Sequence, residues 1–92
     1  MIEVKGMIHN QNISILIDSR ASHSYIDPNL VERMHLGKCK HDRSWKVQLA
    51  TGIRRKVSEL VRNCLLDFNG LKTVADLNIL PLGSYHVLVG MD

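Results

Sequence analysis

Residues Ile15-Leu16-Ile17 run as an apolar strand that ends on a carboxylate, Asp18, and the chain then enters a turn through Ser19, Arg20, Ala21 and Ser22. A strand that presents an acid at its tip fixes both where the chain reverses and what chemistry sits at the reversal. Buried carboxylates need a partner or a purpose. Taken alone, Asp18 has a modest explanation, since an Asp side chain that bonds to nearby backbone N–H groups makes a local turn. Any larger role requires a second carboxylate. Asp27 precedes a proline, and Asp42, Asp67 and Asp76 lack an apolar strand running into a serine turn, so no second copy of the pattern exists in the chain.

The remainder reads as short strands separated by turn signals, an all-β pattern. Residues 4–8 and 13–17 flank His9-Asn10-Gln11-Asn12, a polar turn cluster, and form a first hairpin. Ser24-Tyr25-Ile26 is a brief extended piece. Asp27-Pro28 announces a helix, with Asp as cap and proline at the first position, over 29–34; Gly37 stops it. Residues 45–50 and 53–61 form a long hairpin around Thr51-Gly52. Residues 64–68 and 71–74 flank Asn69-Gly70, the strongest two-residue hairpin signal, and 75–80 extend the second arm. Residues 86–89 are a last apolar strand closed by Gly90. Two hairpins each lead to an apolar strand, a faint internal echo.

At 92 residues the chain is sized for one domain, 1–92. A chain this short buries only about 60–65% of the surface its unfolded form exposes, so association with a second copy would help a marginal core. No apolar run approaches the roughly 18 residues of a membrane span, and the first residues are too polar for a secretory signal. Cys39 and Cys64 sit in no paired pattern, which fits reduced thiols in the cytoplasm. The net charge of +3 gathers at Lys38, Lys40, Arg43 and Lys46 and at Arg54-Arg55-Lys56. With only Tyr25, Trp45, Phe68 and Tyr85 as aromatics, base stacking has little support. These stretches read as a solvated loop and a solvated hairpin tip, and no nucleic-acid partner is expected. His35, Cys39, His41 and Asp42 lie close in sequence but lack the four-ligand spacing of a structural zinc site, so neither metal nor cofactor is expected.

Several segments together resemble the retropepsins, the half-sized aspartic proteases of retroviruses and retrotransposons, over nearly the whole chain. Val4-Lys5-Gly6 is similar to the opening strand of plant gypsy-type retrotransposon proteases. Leu16-Ile17-Asp18-Ser19 and Ala21-Ser22-His23-Ser24-Tyr25-Ile26 resemble the catalytic turn and the strand behind it. Leu30-Val31-Glu32-Arg33-Met34 resembles the short helix that follows. Val47-Gln48-Leu49-Ala50-Thr51-Gly52 resembles one arm and the tip of the flap, the hairpin that closes over a bound peptide. Ile79-Leu80-Pro81-Leu82-Gly83 with Val87-Leu88-Val89-Gly90-Met91-Asp92 matches the closing motif.

The resemblance implies an all-β, homodimeric half-barrel with a flap and one short helix. It also implies an aspartic endopeptidase that processes a polyprotein, acting on an extended peptide. Like charges about 3 Å apart cannot both ionise, so two aspartates share one proton; one acts as base toward water and the other polarises the scissile carbonyl. Each subunit supplies one Asp18 at the two-fold axis. By the same resemblance Ser19 bonds across the axis, Arg20, Ala21, Ser22, Ala50, Thr51, Gly52 and Leu88 line the substrate cleft, and Gly90 packs behind the turn.

The chain departs from the family in two places. Arg20 stands where the motif has glycine. If the turn demanded φ > 0, a Cβ there would cost roughly 1–2 kcal/mol. A guanidinium in the cleft would favour two ionised carboxylates and work against the shared proton. The expectation is impaired proteolysis, or else a catalytically silent peptide-binding or dimerisation module; the alternative is that Arg20 turns to solvent or pairs with an acid such as Glu59. The sequence also ends at Asp92, where related proteases continue into a helix and several add a terminal strand that knits the dimer, so the strength of the dimer is an open expectation.

Overall fold

The computed structural model describes residues 2–48 and 54–90. Among these, seven strands and one short helix follow the order β1 (Ile2–Ile8), β2 (Gln11–Asp18), β3 (Tyr25–Ile26), α1 (Pro28–Arg33), β4 (Cys39–Gln48), β5 (Arg54–Phe68), β6 (Leu71–Ile79) and β7 (Val87–Gly90). The all-β expectation holds. The strand pairs join β1 to β2, β7, β3, β6 and β5 in turn, and β5 returns to β1 through Gly6↔Phe68 and Met7↔Asp67. The sheet therefore closes on itself, and β4 lies outside the ring, paired only to β5.

Local chemistry sets the hairpins. The β1–β2 reversal is tighter than the four-residue cluster suggested: Ile8 pairs with Gln11, leaving His9 and Asn10 as a two-residue turn with φ of 49° and 63°. Asn69 and Gly70 make the β5–β6 turn with φ of 53° and 73°. Both turns place two successive residues at positive φ, the geometry that suits the twist of the flanking strands. Asp27 caps α1 as the sequence predicts, its Oδ1 accepting from Asn29 N–H at 2.9 Å, with Pro28 opening the helix. Its Oδ2 accepts from Leu82 N–H at 3.0 Å, so one buried carboxylate ties the helix start to the loop before β7.

Two sequence boundaries move. The residues read as a basic loop belong to β4, which starts at Cys39 rather than at Trp45. Between the pairs Lys40↔Glu59 and Trp45↔Val57, residues 41–44 of β4 face only Ser58 of β5, a bulge that hides the strand from a period-two reading. The two strands expected at 53–61 and 64–68 are one, β5, bent at a second irregularity between Val61 and Cys64. There Asn63 adopts φ 53°, and its N–H donates to Asp76 Oδ1 at 2.9 Å.

The main core gathers inside the ring from Ile8, Ile13, Ile15, Ile26, Leu66, Leu77 and Val87, with Leu30 and Val31 of α1 added from outside the sheet. A smaller cluster of Tyr25, Val57 and Leu80, with Trp45, Val47, Leu82 and Leu88 packed on it, joins the inner face of the β4–β5 hairpin to the β3–β7 floor.

Candidate active site

β2 carries Asp18 to the turn because its alternate side chains, Ile13 and Ile15, anchor in the core. Its neighbour is β7, which runs parallel to it with Ile15↔Val87, Leu16↔Leu88, Ile17↔Val89 and Asp18↔Gly90 in register. These are the two strands of the internal echo, brought side by side. The half-buried Asp18 accepts from Arg20 N–H through Oδ1 at 2.9 Å, and its carbonyl accepts from Ala21 N–H at 3.2 Å. The carboxylate therefore shapes its own turn and keeps Oδ2 for other use.

Ser19, Arg20 and Ser22 are exposed on the single chain, and Ala21 is half-buried. The turn does not demand φ > 0 at Arg20; the non-glycine residues with positive φ among those described are His9, Asn10, His35, Asn63 and Asn69. The backbone cost anticipated for replacing glycine does not arise. Leu88 lies between Leu16 and Tyr25 in the sheet and packs on the smaller cluster beneath the β4–β5 hairpin. Ala50, Thr51 and Gly52 lie outside the described residues.

Gly90 is where the turn folds back on the sheet. A Cβ at this position would lie 2.4 Å from His23 O and 2.6 Å from Ala21 O. Only a residue without a side chain lets the segment after Asp18 come that close. The Gly90 N–H donates to Ser24 Oγ at 3.1 Å, which holds the segment down.

The polar groups behind the turn were not legible in the sequence. Asn78 is 7% exposed; its N–H and Nδ2 donate to Ser24 O at 2.9 and 3.2 Å, and its Oδ1 lies 2.7 Å from His41 Nε2. Trp45 stands between two imidazoles, with ring centroids 4.8 Å from His41 and 5.5 Å from His23. His41 Nε2 is thereby engaged with Asn78, while His35, Cys39 and Asp42 take no part in that contact. Among the described residues no three His, Cys, Asp or Glu side chains gather as a metal site. Leu77 and Asn78 are both buried although adjacent, because Leu77 enters the core while Asn78 lies on the opposite face under Ser24 and His41, and such a two-sided stretch hides a polar site from a period-two reading.

The β4–β5 hairpin has two unlike faces. Trp45, Val47 and Val57 turn inward, while the cross-strand pairs Lys46↔Lys56 and Gln48↔Arg54 turn outward. Burial raises the Tyr25 hydroxyl and the Cys64 thiol above their ordinary pKa values. Two pockets of the single chain lie away from Asp18, one lined by Lys5, Met7, Asp67 and Phe68 and the other by Gln11, Arg33 and Met34.

The chain is similar to known proteins in two respects. The crystal structure of the retroviral protease-like domain of Ddi1 from Leishmania major superposes with a TM-score of 0.68 at 16% identity, covering 98% of this chain and 71% of that one. That likeness establishes the retropepsin-like fold. No curated protein matches the chain. The model of the retroviral aspartyl protease family matches residues 1–92, and a strand-borne Asp18 seated against Gly90 agrees with it: the chain belongs to that family.

Proposed function

We propose that the chain is one half of an aspartic endopeptidase of the gypsy-type retrotransposon kind, a single domain over 1–92 that processes a polyprotein in the cytoplasm or in retrotransposon particles. Two copies meet about a two-fold axis, and Asp18 from each forms the dyad. The observation that carries this reading is the Asp18↔Gly90 register: a carboxylate held at a strand end, braced by its own turn, with one oxygen uncommitted. Each chain brings one such acid, and the exchange of one proton between two acids needs both. Ser19 bonds across the axis, while Ala21, Ser22 and Leu88 meet the extended substrate. The β4–β5 hairpin serves as the flap, with Ala50, Thr51 and Gly52 at its tip. Free cysteines at positions 39 and 64 fit a reducing compartment.

In the dimer two Arg20 guanidinium groups would flank the dyad and favour two ionised carboxylates, which lowers the fraction of the active singly protonated state. Arg20 is the one observation that favours a second reading, a silent module that holds extended peptides by β-type pairing. The deciding experiment is cleavage of a polyprotein-derived peptide. Turnover that a pepstatin-like inhibitor blocks and Asp18→Asn abolishes supports the enzyme. Peptide binding without turnover, with cleavage gained on Arg20→Gly, supports a module silenced by Arg20. Sedimentation that finds only single chains at high protein concentration would overturn the enzyme, whose dyad needs two copies.

A further inference from the structure

We infer that Asn78 and His41 are positioning residues that lock the β4–β5 hairpin to the turn bearing Asp18. The connection is continuous: Gly90 N–H donates to Ser24 Oγ, Ser24 O accepts twice from Asn78, and Asn78 Oδ1 meets His41 Nε2 at 2.7 Å. The orientation of the amide follows from its own bonds. Nδ2 is committed to Ser24 O, so Oδ1 faces His41 as an acceptor, and His41 must carry its proton on Nε2. A buried amide oxygen without that donor would be left unsatisfied, because Asn78 has little access to water.

The β4 bulge explains how His41 reaches it. Four residues, 41–44, oppose Ser58 alone, so the strand kinks and His41 is re-aimed from the hairpin toward β6. Trp45, at the first regular pair after the bulge, then packs edge-on to His41 and also against His23, whose carbonyl lies over Gly90. Hairpin and turn are thus held at two points by residues at the two ends of one bulge. The consequence for catalysis rests on Asp18 being the acid proposed above: displacement of the hairpin would be felt at the turn, and the reverse.

Amide hydrogen exchange on the full chain tests the lock without any substrate. In His41→Phe, which keeps an aromatic ring beside Trp45 but removes the donor, exchange should speed roughly tenfold at Trp45 and Val57 and also at Gly90. The Val4–Ile15 pair of β1 and β2 should keep its native protection, and His41→Gln, which restores an N–H donor, should return Gly90 toward the native rate. Acceleration confined to the hairpin, or spread evenly to β1 and β2, overturns the inference. If His41→Phe does not fold, Ser24→Ala, which removes the acceptor of Gly90 N–H, decides from the other end: faster exchange at Trp45 and Val57 as well as at Gly90 sustains the lock, and faster exchange at Gly90 alone refutes it. A chain that fails to cleave any peptide would count against the enzyme reading and leave these rates to speak for themselves.

Discussion

Gly90 sits beside Asp18 in the parallel β2–β7 pair, and the space a methyl group would need at Gly90 is taken by the carbonyl oxygens of His23 and Ala21. Those are backbone atoms of the very segment that shapes the turn, so they cannot swing aside as a side chain end would. Gly90→Ala should therefore lower stability by about 1–3 kcal/mol, the usual cost of overpacking. The damage should be local. Amide chemical shifts of residues 19–24 should move, while those of the Asn69-Gly70 turn stay put, and a thermal melt gives the loss. A variant with native melting and native turn shifts would show that the turn does not rest on this contact.

Asp18→Asn isolates chemistry from structure. The amide keeps an oxygen to accept from Arg20 N–H, so the turn survives, and the expected stability change is within about 0.5 kcal/mol. Cleavage, measured on the same peptide as for the native chain, should fall by roughly 10²–10⁴-fold, the range for losing an acid–base group. Arg20→Gly should move the other way and raise turnover. Because Arg20 has no positive φ to relieve, a gain there comes from removing charge or bulk near the dyad, and Arg20→Gln, which loses the charge but keeps a long side chain, should recover much of it where charge is the cause. Equal rates for the native chain and both variants would rule out the charge effect.

Gly70→Ala probes the reversal that the sequence marked most strongly. With φ at 73° the new Cβ meets no neighbour but sits in a left-handed backbone conformation, so the cost is intrinsic. A loss of roughly 1–2 kcal/mol is expected in chemical denaturation. Gly70→Asn should recover part of it, since Asn tolerates that region better than Ala. The site at Asp18 lies on other strands, and its chemical shifts should not respond.

What the sequence disclosed and what it concealed divides along the range of the interactions. Asn69-Gly70, Asp27-Pro28 and the apolar run into Asp18 act through neighbours a few residues away, and each folds as its residues demand. The basic stretch that became part of β4 was opaque because its bulge breaks the period of two, and Lys40, Asp42 and Arg43 gave the stretch the look of a loop. The β2–β7 and β3–β6 pairs are parallel contacts between distant segments, which no local pattern announces. Asn78 and His41 meet across 37 positions, and each alone is an unremarked polar residue. Asp18 itself was legible because its role needs only the strand before it and the turn after it, whereas the bracing that holds it still was written elsewhere in the chain.

Burial also gives the protein a pH dependence at the alkaline end. Tyr25 and Cys64 are both buried in the fold, and desolvation raises the pKa of each above its ordinary value of 10.0 or 9.0. As pH rises, the unfolded chain ionises these groups first, while the folded chain must keep them neutral or bear a buried charge. The unfolded state then binds fewer protons than the native state, so stability present below pH 9.0 declines as pH climbs, first through Cys64 and then through Tyr25. Denaturation midpoints measured from about pH 8 to about pH 11 should fall, and Tyr25→Phe should flatten the upper part of that slope. The same burial makes a kinetic difference between the thiols. Exposed Cys39 should react with an alkylating agent in the folded chain, while Cys64 should wait for local opening of the sheet, and equal labelling of the two would contradict the placement of Cys64 in the core.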